Sequence, residues 1–214
     1  MSNEDKIQIF KPFGPPIAKF ELKNNIIKKI NSYVDELIED KQKSAELDAG
    51  KSLAGQVNQE IEFEKNFNEE VIIPALLNQI KNYIFINTKK KISEHTFENI
   101  WVVRQFENEY NPTHWHSGHI SGAGFLKVPS NLGGHKQNKK DINYKGGSLQ
   151  LMHGSRMFLS HSTLNIIPKV GDFYFFPNYL MHHVYPFKDT KEERRSISFN
   201  AKIDDNIYDV YGGD

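Results

Sequence analysis

The hydrophobic periodicity of the chain changes near residue 100. Before this point apolar residues recur every three or four positions, and after it short β-branched and aromatic runs alternate with polar residues between Gly, Pro and Asn clusters. The first spacing is typical of amphipathic helices and the second of strands. We therefore expect an α+β fold in which N-terminal helices support a C-terminal β-barrel.

The helical part predicts two main segments after a short extended lead. The first runs from about Leu22 to Asp40, with Ile30, Val34 and Leu37 on one apolar stripe. The second runs from about Gln59 to Ile84, where Pro74 should kink or break the helix.

The remaining pattern predicts short strands with turn residues between them, which favours a sandwich or jelly roll. The predicted strands are Ile100–Phe106, Ile120–Val128, Ser148–Met152, Thr163–Ile167, Asp172–Phe176, Met181–Tyr185 and Arg195–Ile203. The polar insert Pro129–Gly147 is longer than a connection needs, so it is a candidate lid or a solvated loop. With no internal repeat or linker, we expect one domain over 1–214: helical support over 1–99, barrel over 100–204 and a tail over 205–214.

Composition removes several classes of function. Lys plus Arg and Asp plus Glu both number 27, so net charge gives no reason to expect nucleic acid as a partner. The absence of cysteine excludes disulfides, thiol catalysis and iron–sulfur clusters, and any metal must bind His, Asp or Glu. The polar start Met1–Lys6 and the lack of a long apolar run predict a cytoplasmic protein with no membrane partner.

Two nucleophile or phosphate motifs can be rejected. Gly50-Lys51-Ser52 resembles the end of a P-loop, but Ala45 occupies the position of the required glycine and no strand precedes it. The G-x-S-x-G elbow of serine hydrolases is absent.

Histidine is unevenly distributed, because eight of the nine lie between His114 and His183. In His114-Trp115-His116 the two imidazoles are two residues apart, so on a strand they point to one side while Trp115 points away. This arrangement can chelate a metal, although a pair of polar loop histidines is an equally common reading. His182 and His183 are consecutive, so on a strand only one of them can face a metal. A structural role is the simpler interpretation for His183.

The last predicted strand separates two kinds of side chain. Ile197, Phe199 and Ala201 share a face with the base of Arg195, whereas the other face is polar: Arg194, Ser196, Ser198 and Asn200. If that polar face lines the barrel interior, its arginine needs an anionic partner, and a small carboxylate suits the guanidinium fork. An edge strand with solvated arginines is the alternative.

With these motifs assembled, the C-terminal half resembles the Fe(II)/2-oxoglutarate-dependent dioxygenases, and within them a poorly characterised phage and marine-bacterial group. The resemblance spans about Trp101 to Ile203. The matching stretches, in the family's order, are 114–116, 121–129, 146–151, 168–177, 180–182 and 194–196. It implies a double-stranded β-helix, or jelly roll, whose interior holds Fe(II) and 2-oxoglutarate.

Carried over position by position, the resemblance makes His114 and His182 the two histidine ligands of iron. It makes Arg194 and Ser196 the pair that binds the distal carboxylate of 2-oxoglutarate. His116 departs from the family, because most members have a carboxylate there. We expect it to be the third ligand. In the alternative, His116 either supports the ligands from outside the metal's coordination shell or contacts the substrate, and water is the third ligand.

The implied activity is that of a dioxygenase using Fe(II), 2-oxoglutarate and O2, hydroxylating a small-molecule or protein substrate and releasing succinate and CO2. Two alternatives stay open at this stage. One is a three-histidine, cupin-like iron dioxygenase that needs no 2-oxoglutarate and therefore no buried Arg194. The other is a non-catalytic β-sandwich module in which the histidine cluster is incidental.

Overall fold

Two antiparallel sheets form the centre of the protein, as seen in a computed structural model that describes residues 14–133 and 146–209. The ten strands in these ranges are β1 (Ala18–Glu21), β2 (Gln59–Glu62), β3 (His95–Gln105), β4 (Asn111–His114), β5 (Ile120–Lys127), β6 (Leu149–Met152), β7 (Thr163–Ile166), β8 (Asp172–Pro177), β9 (Met181–Val184) and β10 (Arg194–Ile203). The larger sheet has the order β1-β8-β5-β10-β3-β2 and the smaller one β4-β9-β6-β7. Two facing antiparallel sheets connected in this way form the expected jelly roll with helical support.

The helices cover the outer face of the larger sheet. The principal helices are α1 (Asn24–Glu39) and α4 (Ile73–Thr88), and shorter ones are α2 (Lys41–Glu46), α3 (Lys65–Phe67) and α5 (Asp205–Tyr208). The stripe predicted for α1 is buried, including Ile30, Val34 and Leu37. These side chains belong to one hydrophobic cluster with Phe199 of β10 and with buried residues of α4. Burial of that cluster holds the helices against the sheet.

The segment after Asn58 differs from the prediction of one long helix. Gln59–Glu62 is strand β2, which pairs with β3 so that Ile61 lies opposite Val102. The apolar residues at 61 and 63 fit both a helical and an alternating pattern, and the free edge of β3 decides between them. Beyond it, α3 leads through one π-helical turn, Asn68–Ile72, into α4, whose first turn contains Pro74. Proline is tolerated there because first-turn amides have no helical acceptor.

The other predicted strands agree within one residue with those observed, except that β3 begins at His95, five residues before the predicted start at Ile100, and β4 is an additional strand. Helix α4 continues to Thr88, four residues beyond the predicted end at Ile84. The residues after Asp204, expected to be a tail, begin with the short helix α5. Most of the insert Pro129–Gly147 lies outside the described residues, so its role as a lid stays a prediction. No helix in the described ranges has the length and hydrophobicity needed to cross a membrane.

Strand β10 positions the polar residues of the interior. Its Ile197, Phe199 and Ala201 join the core beneath the helices. The alternate residues face the smaller sheet, and Ser196 and Ser198 lie opposite Val103 and Trp101 of β3. The central strand of the larger sheet therefore has one apolar face and one polar face, as its sequence predicts.

Candidate active site

A narrow cleft opens between the two sheets. Residues from both sheets line it: Trp101, Val103, Asn111, His114, His116, Gly122, Ala123, Phe125, Leu149, Phe176, His182, Val184, Arg194, Ser196 and Ser198. Every residue that the sequence selected for metal or co-substrate binding is in this set. Apolar side chains from β3, β5, β6, β8 and β9 form most of the remaining wall.

Three histidines meet at one end of the cleft. His114 at the end of β4 lies opposite His182 of β9 in the strand register, with ring centroids 4.3 Å apart. His116 follows two residues later, and its backbone exchanges hydrogen bonds with Asn178 in the turn before β9. One potential ligand atom from each histidine lies within 4.8 Å of the other two. The turn contacts therefore hold His116 beside the paired strands.

Hydrogen bonds fix which ring nitrogens face the centre of the cluster. Nδ1 of His114 donates to the carbonyl of Pro112 at 2.6 Å, and Nδ1 of His182 donates to the carbonyl of Leu180 at 2.8 Å. Because a carbonyl only accepts, both Nδ1 atoms carry the proton and both Nε2 atoms keep a free lone pair. This is the tautomer that ligates a metal through Nε2.

The surroundings also keep these rings neutral. Burial lowers the pKa of His114. Burial, and then the proximity of His114, lowers the pKa of His116 to about 4 and that of His182 to about 3. Neutral imidazoles with converging lone pairs are the form that binds a divalent cation.

The spacing of the nitrogens fits a transition metal. Nε2 of His116 lies 3.1 Å from Nε2 of His182. Two nitrogen ligands at right angles, each about 2.1 Å from a metal, are about 3 Å apart. Imidazole suits Fe(II) as well as Zn(II) and Ni(II), so the donor set is compatible with iron without being selective for it.

His119, His183 and Trp115 are close in sequence to this histidine cluster but do not belong to it. His119 accepts the backbone N–H of Ile203 at Nδ1 and stacks on Tyr208. His183 contacts the Thr113 hydroxyl at 3.3 Å. Trp115 is 64% exposed and points away from the cluster, as alternation predicts.

At the other end of the cleft lies the guanidinium of Arg194. It is fully buried, donates from Nε to the carbonyl of Gly147 at 3.0 Å and from Nη1 to the Ser196 hydroxyl at 3.3 Å. It also lies over the ring of Phe125, 5.1 Å from its centroid. No carboxylate of residues 14–133 or 146–209 forms an ion pair with it, and burial lowers its pKa to about 10. A buried cation with free donors is a site for an anion.

Trp101 is a cleft residue that the sequence reasoning did not single out. It lies on β3 beside Ser198, and its ring meets that of His116 edge to face at 5.7 Å. Side-chain alternation along β3 places Trp101 and Val103 on the same face of the strand, and this pattern is visible in the sequence. Which face is internal depended on the pairing of β3 with β10, and that pairing is not visible in the sequence.

Comparisons with known proteins agree with this geometry. Residues 99–200 match a sequence family described as "Putative 2OG-Fe(II) oxygenase". No curated protein matches the chain.

Solved structures share the fold at low sequence identity. A prolyl-4-hydroxylase from Pseudomonas putida superposes with a TM-score of 0.56 at 12% identity, over 87% of this chain and 91% of that one. The viral collagen prolyl hydroxylase of Paramecium Bursaria Chlorella virus-1, in a 2-oxoglutarate complex, gives 0.53 at 16%, over 86% and 94%. A Trichoplax adhaerens prolyl hydroxylase bound to a hypoxia inducible factor peptide fragment gives 0.56 at 12%, over 92% and 87%.

These findings favour the 2-oxoglutarate-dependent reading over the cupin-like enzyme and the non-catalytic module. The matched stretch 99–200 contains the three histidines and Arg194, and the jelly roll is that of the structural neighbours. By this match over residues 99–200 and by this fold, the barrel half of the chain is similar to the 2OG-Fe(II) oxygenases, oxidoreductases that use Fe(II), 2-oxoglutarate and O2.

Proposed function

We propose that His114, His116 and His182 bind Fe(II), that Arg194 and Ser196 bind the distal carboxylate of 2-oxoglutarate, and that the enzyme hydroxylates a polypeptide substrate. One observation carries the assignment of residues. A cluster of neutral, converging imidazoles and a buried guanidinium without a carboxylate partner among the described residues occupy two ends of the same cleft.

In this proposal the metal and the distal carboxylate of the co-substrate bind at different ends of the cleft. The free Nε2 atoms of His114 and His182 are already oriented by the backbone carbonyls that hold their Nδ1 protons. The Arg194 fork and the Ser196 hydroxyl supply donors for a carboxylate, whose charge would offset that of the buried guanidinium. Fe(II) and 2-oxoglutarate, when bound there, supply the oxidising chemistry in which 2-oxoglutarate becomes succinate and CO2.

The apolar side chains of the cleft wall keep bulk water out of the site. Phe125, Leu149 and Phe176 are each at most 2% exposed and line the same cleft, with Phe125 against Arg194 and Phe176 against His182. They exclude bulk water, which strengthens the charge interactions of Arg194 and protects reactive species from solvent.

A polypeptide substrate is supported by the solved neighbours, which are prolyl hydroxylases, one of them bound to a peptide fragment. It is also supported by exposed aromatic side chains beside the metal end of the cleft. Trp115 is 64% exposed, Tyr179 is 51% exposed, and two hydrogen bonds between the His116 backbone and Asn178, one to its carbonyl and one from its side-chain amide, hold the segments carrying them side by side. Aromatic side chains of this kind provide apolar contact area for an extended chain.

The binding assignment is tested by adding Fe(II) and 2-oxoglutarate without oxygen. We expect a weak metal-to-ligand charge-transfer band in the wild type. We expect no band in His182→Ala, and a band that needs much more 2-oxoglutarate in Arg194→Lys. Wild-type protein that binds Fe(II) but shows no band at saturating 2-oxoglutarate would refute the co-substrate assignment.

The substrate class is tested with oxygen present. Proline-containing peptides should raise succinate release above the rate without peptide and should gain one oxygen atom by mass spectrometry. If small-molecule candidates are oxidised while no peptide is, the polypeptide assignment is wrong and the binding assignment stands.

A further inference from the structure

The indole N–H of Trp101 has no hydrogen-bond acceptor among the described residues. The side chain is 4% exposed, and its Nε1 atom is buried. Trp101 lines the cleft, and its ring meets the edge of the His116 ring. Within the described part of the chain the donor is therefore both unpaired and next to the histidine cluster.

An unpaired buried donor is costly and uncommon in a folded protein. The indole nitrogen only donates, so it cannot be satisfied by any other donor in the cleft. The flanking side chains on its strand face are Asn99 and Val103, and the facing hydroxyl of Ser198 does not accept from it. The missing acceptor is best supplied by a molecule that enters the cleft.

The register of β10 against β3 locates this donor relative to Arg194. Arg194, Ser196 and Ser198 are alternate residues on the inner face of β10, and Trp101 lies opposite Ser198. Alternate residues of a strand are separated by about 6.7 Å. Trp101 is therefore one such step beyond Ser196 toward the histidines.

That separation suits the length of 2-oxoglutarate. Its two carboxyl carbons are joined through four C–C bonds and lie about 5 Å apart in an extended chain, and each carboxylate oxygen reaches farther. With the distal carboxylate on Arg194 and Ser196, the keto-acid end lies at the level of Ser198 and Trp101.

We propose that the Trp101 Nε1–H donates a hydrogen bond to the carboxylate of 2-oxoglutarate at the metal end, and that Trp101 thereby orients the keto-acid group. The inference rests on the proposed function. It makes Trp101 a positioning residue that contacts the co-substrate, while Arg194 provides charge recognition at the other end.

The chain offers a direct test because it contains two tryptophans, Trp101 and Trp115. The protein is labelled with ¹⁵N at the indole nitrogens and loaded with Zn(II), which is diamagnetic and does not undergo redox chemistry. Addition of 2-oxoglutarate should shift the Trp101 indole cross-peak and slow its hydrogen exchange. The exposed Trp115 should be unchanged and serves as the internal reference.

A second ligand separates the two ends of the co-substrate. 2-Oxobutyrate has the keto-acid group and lacks the distal carboxylate, so at saturation it should shift Trp101 in the same direction. A shift caused by 2-oxoglutarate but not by saturating 2-oxobutyrate would overturn the inference, since Trp101 would then sense the distal end.

Calorimetry on the same samples measures whether 2-oxoglutarate binds at all, and so tests the proposed function separately from this inference. If 2-oxoglutarate binds but the Trp101 signal is unchanged, Trp101 is not a ligand contact and the inference alone fails. If 2-oxoglutarate does not bind at all, the proposed function fails and the inference falls with it.

Variants provide an independent measurement. Trp101→Phe keeps an aromatic ring against His116 and removes the donor, so the dissociation constant for 2-oxoglutarate should rise about tenfold while metal affinity is unchanged. Phe158→Leu, at an exposed aromatic residue outside the cleft, is the control and should change neither. A parallel loss of metal affinity in Trp101→Phe would indicate that the ring only supports His116.

Discussion

Arg194 and Arg195 are consecutive residues of β10 and almost equally buried, yet their charges are balanced in different ways. Arg195 faces the helices, where Nη2 lies 2.7 Å from Asp35 and 2.9 Å from Glu193, and Nη1 donates to Asn31. Arg194 faces the cleft and bonds to a carbonyl and a hydroxyl. The strand thus places one arginine in a protein ion-pair network and leaves the other for an external anion.

The two arginines should respond differently to the same substitution. Lysine keeps the charge but not the planar fork, so Arg194→Lys should raise the dissociation constant for 2-oxoglutarate about tenfold or more with little loss of Fe(II) binding. Arg195→Lys should leave 2-oxoglutarate binding near wild type and lower the free energy of unfolding by roughly 1–3 kcal/mol, because it breaks the contacts to Glu193 and Asp35. Titration calorimetry and urea unfolding measure the two effects; equal loss of co-substrate affinity in both variants would contradict the assignment.

The metal end can be tested by changing His116. His116→Asp restores the two-histidine, one-carboxylate set common in the family and should retain Fe(II), whereas His116→Ala should weaken binding roughly ten- to a hundredfold, or by about 1.4–2.8 kcal/mol. The aspartate also reduces the net positive charge at the metal, so the reduction potential should change. Metal titration of both variants measures this, with His182→Ala as the control that loses binding. Near wild-type affinity in both His116 variants would remove His116 from the ligand set.

The buried carboxyl of Glu60 should make the free energy of unfolding depend on pH, independently of the cleft histidines. Burial raises its pKa to about 7, and one of its carboxylate oxygens has no hydrogen-bond partner among the described residues. Below pH 4.5 the carboxyl is protonated in both folded and unfolded chains. As the pH rises to about 7 the unfolded chain loses the proton first, so the contribution of Glu60 to stability falls by up to about 3 kcal/mol, against the rise that the neutral cleft histidines contribute over the same range.

Glu60→Gln should remove most of this decline. We expect the variant to be more stable than the wild type at pH 8 and similar to it at pH 4.5, measured by urea unfolding at several pH values. Glu62→Gln, two residues farther along the same strand and partly exposed, is the control and should retain the wild-type slope. A wild-type profile in Glu60→Gln would show that the pH dependence has another source.

Gly124 tests the packing between β5 and β8. A Cβ atom there would lie 2.2 Å from Cδ2 of Phe173, a ring that is fully buried in the core. Gly124→Ala should therefore destabilise the fold by about 1–3 kcal/mol. In the Gly124→Ala, Phe173→Leu double variant the loss should be smaller than the sum of the two single losses, as unfolding midpoints will show. Strict additivity would mean that the backbone moves instead of the ring.

Much of the local structure was determined by the sequence alone. The stripe through Ile30 and Val34 fixed α1 and its buried face, and the alternation through Ser196 and Phe199 fixed the two faces of β10. These predictions succeed because side-chain periodicity is a local property of the backbone. The spacing of His114 and His116 is local in the same sense, and so is the outward position of Trp115.

Tertiary structure decided what lies opposite these faces. The strand at Gln59–Glu62 depends on the free edge of β3, and the meeting of His114 with His182 depends on pairing between strands almost seventy positions apart in the chain. That the Trp101 indole N–H finds no acceptor among the described residues depends on the pairing of β3 with β10. Such pairings combine residues that are distant in sequence, so no local pattern encodes them. The sequence therefore selected the side chains that face inward, and the packing of the two sheets determined which of them share one cleft.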